Sequence, residues 1–304
     1  MKGKNLLSIG DLSPDNVRRL IDGAIRMKQE GVGPILEGQT LALLFEKPSL
    51  RTRVSFDVAM HQLGGHSIYL SQDEVGLGKR EAIADVARTL SRYVHVIAAR
   101  TFSHATLESL AHSASVPVIN ALSDREHPCQ ALADLLTIRE KKGGLEGVTV
   151  AYVGDGNNVA NSLLLACAMA GANFKSASPA GHEIPGEVVS LARGFAQGGA
   201  QVTLLLEPQA AAEGADVVYT DVWTSMGQEE EAEKRRQAFT GYQVDARLLS
   251  LAAKDAILMH PLPAHYGEEI APELADSPQS VIFDQAENRL HVQKAILAEI
   301  LSQP

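Results

Sequence analysis

The stretch Phe45–Arg53 carries the residue types of an anion-binding site. The apolar run Leu41–Phe45 predicts a buried strand that ends abruptly in charge. Pro48 favours the first turn of a helix, because its missing N–H would have no intrahelical partner there. The hydroxyl and guanidinium groups beside that turn belong to Ser49, Arg51, Thr52 and Arg53. Helix N-termini and arginine forks both favour phosphate oxygens, so the stretch predicts an oxyanion site, with a solvated basic turn as the alternative.

Strand and helix patterns alternate along the whole chain. The predicted strands cover residues 41–45, 66–70, 94–99, 116–120, 148–153, 174–178, 201–206, 216–219, 256–259 and 280–283. Alternation of this kind indicates parallel βαβ units, whose ligands bind at the carboxyl ends of the strands. Arg51 and Arg100 both lie just past such ends, and this favours the binding site over the basic turn.

Another polar group begins a predicted helix within Ser123–Gln130. His127 and Gln130 are three residues apart, so they share one face of that helix. Both could direct a donor at a carbonyl or phosphate oxygen. A histidine in a first turn is more often structural, but its place after a parallel strand favours ligand binding.

In the second half, Gly154-Asp155-Gly156 follows a strand and raises the question of a dinucleotide cofactor. Val159 stands at the third glycine position of that motif, and residues 178–181 offer no acidic group for a ribose. We therefore expect no such cofactor. Asn157 and Asn158 could hydrogen-bond a small polar ligand or cap the next helix.

Two later loops also follow predicted strands. Asp221–Gly227 offers a carboxylate, the only Trp, a hydroxyl and a thioether, which suit an amine-bearing substrate or a plain surface loop. His260–His265 contains two prolines that stiffen the backbone, so its carbonyls could accept from an amine. The charge-rich run Gln228–Arg236 predicts a solvated helix face.

The chain has 304 residues and a formal net charge of −10. This length favours two domains, and this charge argues against nucleic-acid partners. Cys129 and Cys167 show no metal-like spacing and suit a reducing cytosol. No apolar run is long enough to span a membrane, and the N-terminus lacks a signal peptide. We expect a cytoplasmic protein without metal, cofactor or membrane partner.

The predicted fold is therefore α/β, with two doubly wound parallel-sheet domains of similar size. The glycine pair at 143–144 sets the predicted boundary between residues 1–142 and 143–304. The last helix, predicted within 286–302, is amphipathic.

Four segments, in order, resemble motifs of the aspartate/ornithine carbamoyltransferase family, and the likeness covers nearly the whole chain. Ser49–Arg53 is similar to its carbamoyl-phosphate signature S-x-R-T-R, and His127–Gln130 to its H-P-x-Q helix start. Asp221–Gly227 resembles the D-x-x-x-S-M-G loop of the ornithine branch. Phe283–Arg289 resembles the segment that opens the family's final helix. The resemblance implies that this helix packs back on the first domain.

The resemblance implies that an amine, ornithine, attacks the carbonyl carbon of carbamoyl phosphate to give citrulline and phosphate. The carbamoyl-phosphate-binding residues it implies are Ser49, Leu50 through its backbone, Arg51, Thr52, Arg100, His127 and Gln130. The ornithine-binding residues are Asn158, Asp221, Ser225, Met226, Pro261 and Leu262. The catalytic residues are Arg51, Arg100, His127 and Arg289. The family also implies a homotrimer.

Three residues depart from the family pattern. Pro261 replaces the cysteine that is usual in the ornithine branch, and Ala264 replaces the arginine of the aspartate branch. Gly76 stands where the ornithine branch often has a glutamine, in a loop from which the family inserts a residue into a neighbouring subunit's site. These departures leave open another amine (putrescine, lysine or an acylated ornithine) and a non-catalytic binder of carbamoyl phosphate. Aspartate is disfavoured, because Asp221 would repel its carboxylates. Arginine synthesis and breakdown both remain open.

Overall fold

The computed structural model describes residues 1–224 and 229–301. The chain divides into two compact units, Met1–Leu136 with Glu287–Pro304, and Thr137–Ala286. The first boundary lies inside a helix whose C-terminal end coincides with the predicted boundary after residue 142. The second boundary also lies inside a helix.

The first unit contains four strands and the helices that follow them. In chain order the elements are α1 (Pro14–Gln29), β1 (Thr40–Phe45), α2 (Leu50–Gln62), β2 (His66–Ser71), α3 (Gln72–Val75), α4 (Ile83–Leu90), β3 (Val96–Arg100), α5 (His104–Ser113), β4 (Val118–Leu122) and the start of α6 (Pro128–Lys142). The second unit contains β5 (Thr149–Val153), α7 (Asn158–Ala170), β6 (Asn173–Ala177), α8 (Gly186–Phe195), β7 (Val202–Leu205), α9 (Pro208–Ala212), β8 (Val217–Tyr219), α10 (Ala232–Ala238), α11 (Ala246–Leu249), β9 (Ile257–Met259) and the start of α12 (Ile282–Leu301).

The sheet of the first unit is parallel, with strand order β2-β1-β3-β4. Apart from Thr40 at the start of β1 and Arg100 at the end of β3, its central strands are apolar, because both faces of such a sheet are covered. Leu44 of β1 and Ile97 of β3 are buried with Leu107 of α5 in one core cluster. The strand order reverses between β1 and β3. Ligands of doubly wound sheets bind at this switch point, beyond the carboxyl ends of the two strands.

The sheet of the second unit is also parallel, with order β7-β6-β5-β8-β9. Here the order reverses between β5 and β8, which are followed by Asp155 and Asp221. Gly156, two residues after Gly154, packs closely, since a Cβ there would lie 2.4 Å from the carbonyl carbon of Glu183. Gly156 therefore has a packing role. The prediction of two doubly wound parallel-sheet domains is confirmed.

The last helix begins earlier than predicted. The strand predicted for 280–283 is wrong, because Ser280 makes only an isolated bridge to Leu258 and α12 already starts at Ile282. From Glu287 onward the helix belongs to the first unit. There Lys28 Nζ donates to Asn288 Oδ1 at 2.8 Å.

In the described part of the charge-rich run, residues 230–236, which extends into α10, the charged side chains are exposed as predicted, with one exception. The side chain of Arg235 is only 11% exposed, because it pairs with a carboxylate inside the second unit. Among the residues that the structure describes, no helix combines the length and the apolar character needed to cross a bilayer.

Candidate active site

The predicted anion site forms at the N-terminus of α2. Ser49 is the N-cap, and its Oγ accepts from the backbone N–H of Thr52 at 3.3 Å. The side chain of Leu50 is 75% exposed, so only its backbone can serve the site. Thr52 is fully buried. The first turn thus presents backbone donors and one buried hydroxyl at the carboxyl end of β1.

Arg100 brings a second cation to the same switch point, at the end of β3. The residue is 5% exposed, and its Nε has no hydrogen-bond partner among the described residues. Burial, with repulsion from Arg289 and Arg51, lowers the pKa of Arg100 to about 9. Three guanidinium groups therefore lie close enough to disfavour one another's charge. Such a cluster favours an anion with two negative charges.

Arg289 reaches the cluster from α12. Its Nη2 donates to Thr52 Oγ1 at 2.7 Å, although the two residues are 237 positions apart. Arg53, in contrast, lies with Cζ 3.9 Å from the centre of the Tyr69 ring and is exposed. The cluster thus contains Arg51, Arg100 and Arg289, and Arg53 has a stacking role on Tyr69.

His127 lies just before α6 and is 4% exposed. Its position is fixed by its neighbour Glu126, whose carboxylate accepts from Ser8 Oγ and from the Ile9 N–H. Burial lowers the pKa of His127 well below its usual range, and Arg289, Arg100 and Arg51 lower it further. The imidazole is therefore neutral near pH 7. It can donate one hydrogen bond to a carbonyl oxygen without bringing another positive charge.

Gln130 lies one turn further along α6. Its Nε2 donates to Asp134 Oδ1 at 2.9 Å. Its Oε1 is buried and has no partner within the described part of the chain. Asp134 therefore leaves the amide oxygen of Gln130 to accept from an N–H group of a ligand.

In the second unit, Asp221 follows β8 and is 6% exposed. Asn157 Nδ2 donates to Asp221 Oδ2 at 2.8 Å, while Asn157 Oδ1 caps α7 by accepting from the N–H groups of Val159 and Ala160. Burial raises the pKa of Asp221, and nearby groups including Asn157 partly offset this rise. A carboxylate held in this way suits an ammonium group, which would stabilise its charge.

The loop after β9 is fixed by one buried network. His260 Nδ1 accepts from the Leu262 N–H at 2.9 Å, and its Nε2 lies 3.0 Å from Glu269 Oε1. With Nδ1 as the acceptor, Nε2 is the ring nitrogen that donates to Glu269 Oε1. Leu262 has φ 56°, an unfavourable value for a branched residue. The network thus holds Pro261 and Leu262 in one backbone shape.

The predicted site residues divide between the two units. Ser49, Leu50, Arg51, Thr52, Arg100, His127, Gln130 and Arg289 all belong to the first unit. Asn158, Asp221, Pro261 and Leu262 belong to the second, and Ser225 and Met226 lie outside the described residues. Sequence reasoning missed Asp134 and the bond from Asn157 to Asp221. The four-residue spacing of Gln130 and Asp134 on one helix was an available signal.

A cysteine and a cluster of one histidine and two glutamates also carry side chains of reactive or metal-binding type. Cys129 is buried, and burial raises the pKa of its thiol to about 12, so it is no nucleophile at neutral pH. Among the described residues, His265, Glu268 and Glu269 place ligand atoms within 4.8 Å of one another, as a metal site requires. Glu268 pairs with Arg236, however, and Glu269 accepts from His260, so existing contacts already use both carboxylates.

Comparison with protein families assigns this chain to one of them. Residues 4–140 match the family description "Aspartate/ornithine carbamoyltransferase, carbamoyl-P binding domain". Residues 146–300 match "Aspartate/ornithine carbamoyltransferase, Asp/Orn binding domain". The chain therefore belongs to the aspartate/ornithine carbamoyltransferase family, which confirms the resemblance seen in the sequence.

Within this family, the chain is similar to proteins of the ornithine branch. An ornithine carbamoyltransferase of Acidothermus cellulolyticus is 55% identical over 301 residues, covering 98% of this chain and 96% of that one. An anabolic ornithine carbamoyltransferase of Pyrococcus furiosus is 50% identical over 306 residues, covering 99% and 97%. The solved structure of ornithine carbamoyltransferase from Pyrococcus furiosus has a TM-score of 0.95 and 50% identity, covering 100% of this chain and 98% of that chain.

Proposed function

We propose that this protein transfers the carbamoyl group of carbamoyl phosphate to the side-chain amine of L-ornithine, giving L-citrulline and phosphate. The observation that carries the proposal is the cluster of the buried Arg100 and Arg289 with the partly buried Arg51 around a neutral His127. A doubly charged phosphate that bears a polar carbonyl is a ligand that matches this cluster. The relatives of about 50% identity over nearly the full chain support ornithine as the acceptor.

The first unit binds the donor in this proposal. Ser49, Leu50 and Thr52 offer their hydroxyl and backbone donors to the phosphate, and the arginines neutralise its charge. His127 donates to the carbonyl oxygen, and Gln130 Oε1 accepts from the carbamoyl NH2. Charge that develops on the carbonyl oxygen meets fixed donors, which is the largest catalytic contribution in many acyl transfers.

The second unit binds the acceptor. Asp221, with Asn158, Ser225 and Met226, recognises the amino-acid end of ornithine, and the carbonyls of Pro261 and Leu262 accept from its side-chain amine. The neutral amine attacks the carbonyl carbon, the carbon–oxygen bond to phosphate breaks, and the phosphate takes the proton that the amine loses. Because an alkyl amine is mostly protonated at pH 7, turnover rises with pH.

The direct test is a citrulline assay with carbamoyl phosphate and L-ornithine. We expect citrulline and phosphate in equal amounts. Carbamoyl phosphate that binds without turnover of any amine would show a non-catalytic binder instead.

Pro261 motivates a second candidate, a carbamoyltransferase for another amine. Asp221 separates the possibilities, because a buried carboxylate suits the free α-ammonium group of ornithine or lysine, which an acylated ornithine lacks. Putrescine has an ammonium group at each end but no carboxylate. A panel of these amines at saturating carbamoyl phosphate should give the highest kcat/KM with ornithine, and a higher value with another amine would replace the first proposal.

We also propose a homotrimer that works in the cytoplasm, in arginine biosynthesis. The anabolic relative supports the biosynthetic direction. The buried free thiols of Cys129 and Cys167 suit a reducing compartment. Light scattering should give three times the chain mass of 32.5 kDa.

A further inference from the structure

A buried ion pair in the second unit lies beside the segment that carries Asp221. Arg235 Nη1 donates to Asp155 Oδ2 at 3.0 Å and to the backbone carbonyl of Trp223 at 2.9 Å. The two side chains are 11% and 10% exposed. His182 Nδ1 lies 3.4 Å from the other oxygen of Asp155. A charge-assisted bond in such a place is stronger than one at the surface.

Together with two further hydrogen bonds, these contacts form a closed ring that includes Asp221, the carboxylate proposed to bind the amine substrate. The Asp155 carbonyl accepts from the Asn157 N–H at 2.7 Å, and Asn157 Nδ2 donates to Asp221 at 2.8 Å. Trp223 follows Asp221 by two residues, and its carbonyl returns to Arg235. The position of the Asp221 carboxylate is therefore set from two directions, through Asn157 and through its own backbone.

Helix α10 holds Trp223 by a second contact. Phe239, the C-cap of α10, stacks on the Trp223 ring with centroids 5.5 Å apart and planes 16° apart. Trp223 is 6% exposed. Arg235 thus fixes the backbone of the segment, while Phe239 fixes its aromatic ring.

We propose that Arg235 is a positioning residue for the amine substrate, acting on Asp221 through Asp155 and the Trp223 carbonyl. This inference rests on the proposed function. Without Arg235, the buried Asp155 carboxylate loses its arginine partner and keeps its contact with His182, and the Trp223 carbonyl loses the donor Arg235 Nη1. The Asp221 segment then occupies several positions, so ornithine binds less tightly. Asp155, Asn157, Asp221, Trp223 and Arg235, which form this ring, all belong to the second unit.

The experiment compares Arg235→Gln and Arg235→Lys with Arg236→Gln as a matched control. Arg236 carries the same charge on the same helix, but its contacts with Glu233 and Glu268 are largely solvent-exposed. We expect Arg235→Gln to raise the KM for ornithine about 10- to 100-fold, the loss typical of a hydrogen bond to a buried charge. The KM for carbamoyl phosphate should change less than about twofold, a margin equal to ~0.4 kcal/mol. Arg235→Lys should restore part of the loss, and Arg236→Gln should match wild type.

Trp223, the only tryptophan, gives a readout independent of turnover. Acrylamide should quench its fluorescence more strongly in Arg235→Gln than in wild type or in Arg236→Gln. A wild-type KM for ornithine in Arg235→Gln, or an equal rise in both KM values, would overturn the inference. If wild type carbamoylates no amine, the proposed function fails instead, and unchanged quenching would then also refute the ring.

Discussion

At the scale of single residues, the site depends on keeping His127 neutral. Its imidazole is buried beside Arg289, Arg100, Arg51 and Lys47, so protonation would add a further positive charge to this group. The sequence places His127 after a strand and before a helix, but it does not show which cations surround it. Arg289 in particular comes from the far end of the chain.

The depressed pKa of His127 predicts a stability change with pH. The unfolded chain binds a proton near pH 6.5 and the folded chain does not, so acid favours unfolding. The contribution is fully present above about pH 6.5 and falls below it by at most about 1.4 kcal/mol per pH unit. Denaturant unfolding between pH 5 and 8 should show a shallower acid loss in His127→Gln than in wild type. Parallel curves would contradict a neutral His127.

Arg51→Ala should lower kcat about 10²- to 10³-fold, as when one oxyanion donor is removed. Its folded state should lose little stability, because one of three mutually repelling cations is gone. Steady-state kinetics and thermal unfolding measure the two effects. Arg53→Ala, which removes the same charge two residues later from a position over Tyr69, should cost far less turnover. Equal losses in the two variants would show that the phosphate site is wrongly assigned.

At the scale of elements, almost every candidate site residue lies just after the carboxyl end of a strand. The alternation of strand and helix patterns in the sequence predicted where those strands end. The exception was residues 280–283, where an apolar run continues directly into α12. A short apolar run does not distinguish a strand from the first turn of a buried helix. The buried Arg235 was missed for a similar reason, since a run of charges hides one member that faces inward.

On helix α6, Asp134 accepts a hydrogen bond from Gln130 and thereby sets the orientation of the Gln130 amide. Asp134→Ala should raise the KM for carbamoyl phosphate or lower kcat by about 10-fold, because Gln130 loses its orientation. Asp134→Asn retains an acceptor and should lose less. The KM for ornithine should stay near wild type in both variants. A graded loss in kinetics would support the orienting role, whereas a loss of folding alone would contradict it.

At the scale of the whole molecule, each unit has its own switch point, and we propose that each binds one of the two substrates. Strand orders β2-β1-β3-β4 and β7-β6-β5-β8-β9 bring β1 next to β3 and β5 next to β8. Periodicity predicted the strands but not these orders, which depend on contacts between distant segments. The pairing of Asn157 with Asp221, 64 residues apart, was hidden for the same reason.

The protection of backbone amides from hydrogen exchange by a bound ligand should therefore differ between the two units. Phosphate should slow amide hydrogen exchange at the N-terminus of α2 and the end of β3, because binding stabilises the folded form by about 2.7 kcal/mol at 100 times its Kd. Residues after β5 and β8 should change less. Arg100→Gln should remove most of this protection. Equal protection of both units by phosphate alone would contradict the assignment.

The split of the first unit has a consequence for synthesis on the ribosome. Its residues Met1–Leu136 emerge early, but Glu287 onward emerges only after the entire second unit. The bond from Arg289 to Thr52 therefore forms only after the second unit has been translated. Until then, a nascent chain lacks one of the three arginines of the cluster. The pocket that we propose for the reactive acyl phosphate is thus completed only after the second unit has been made.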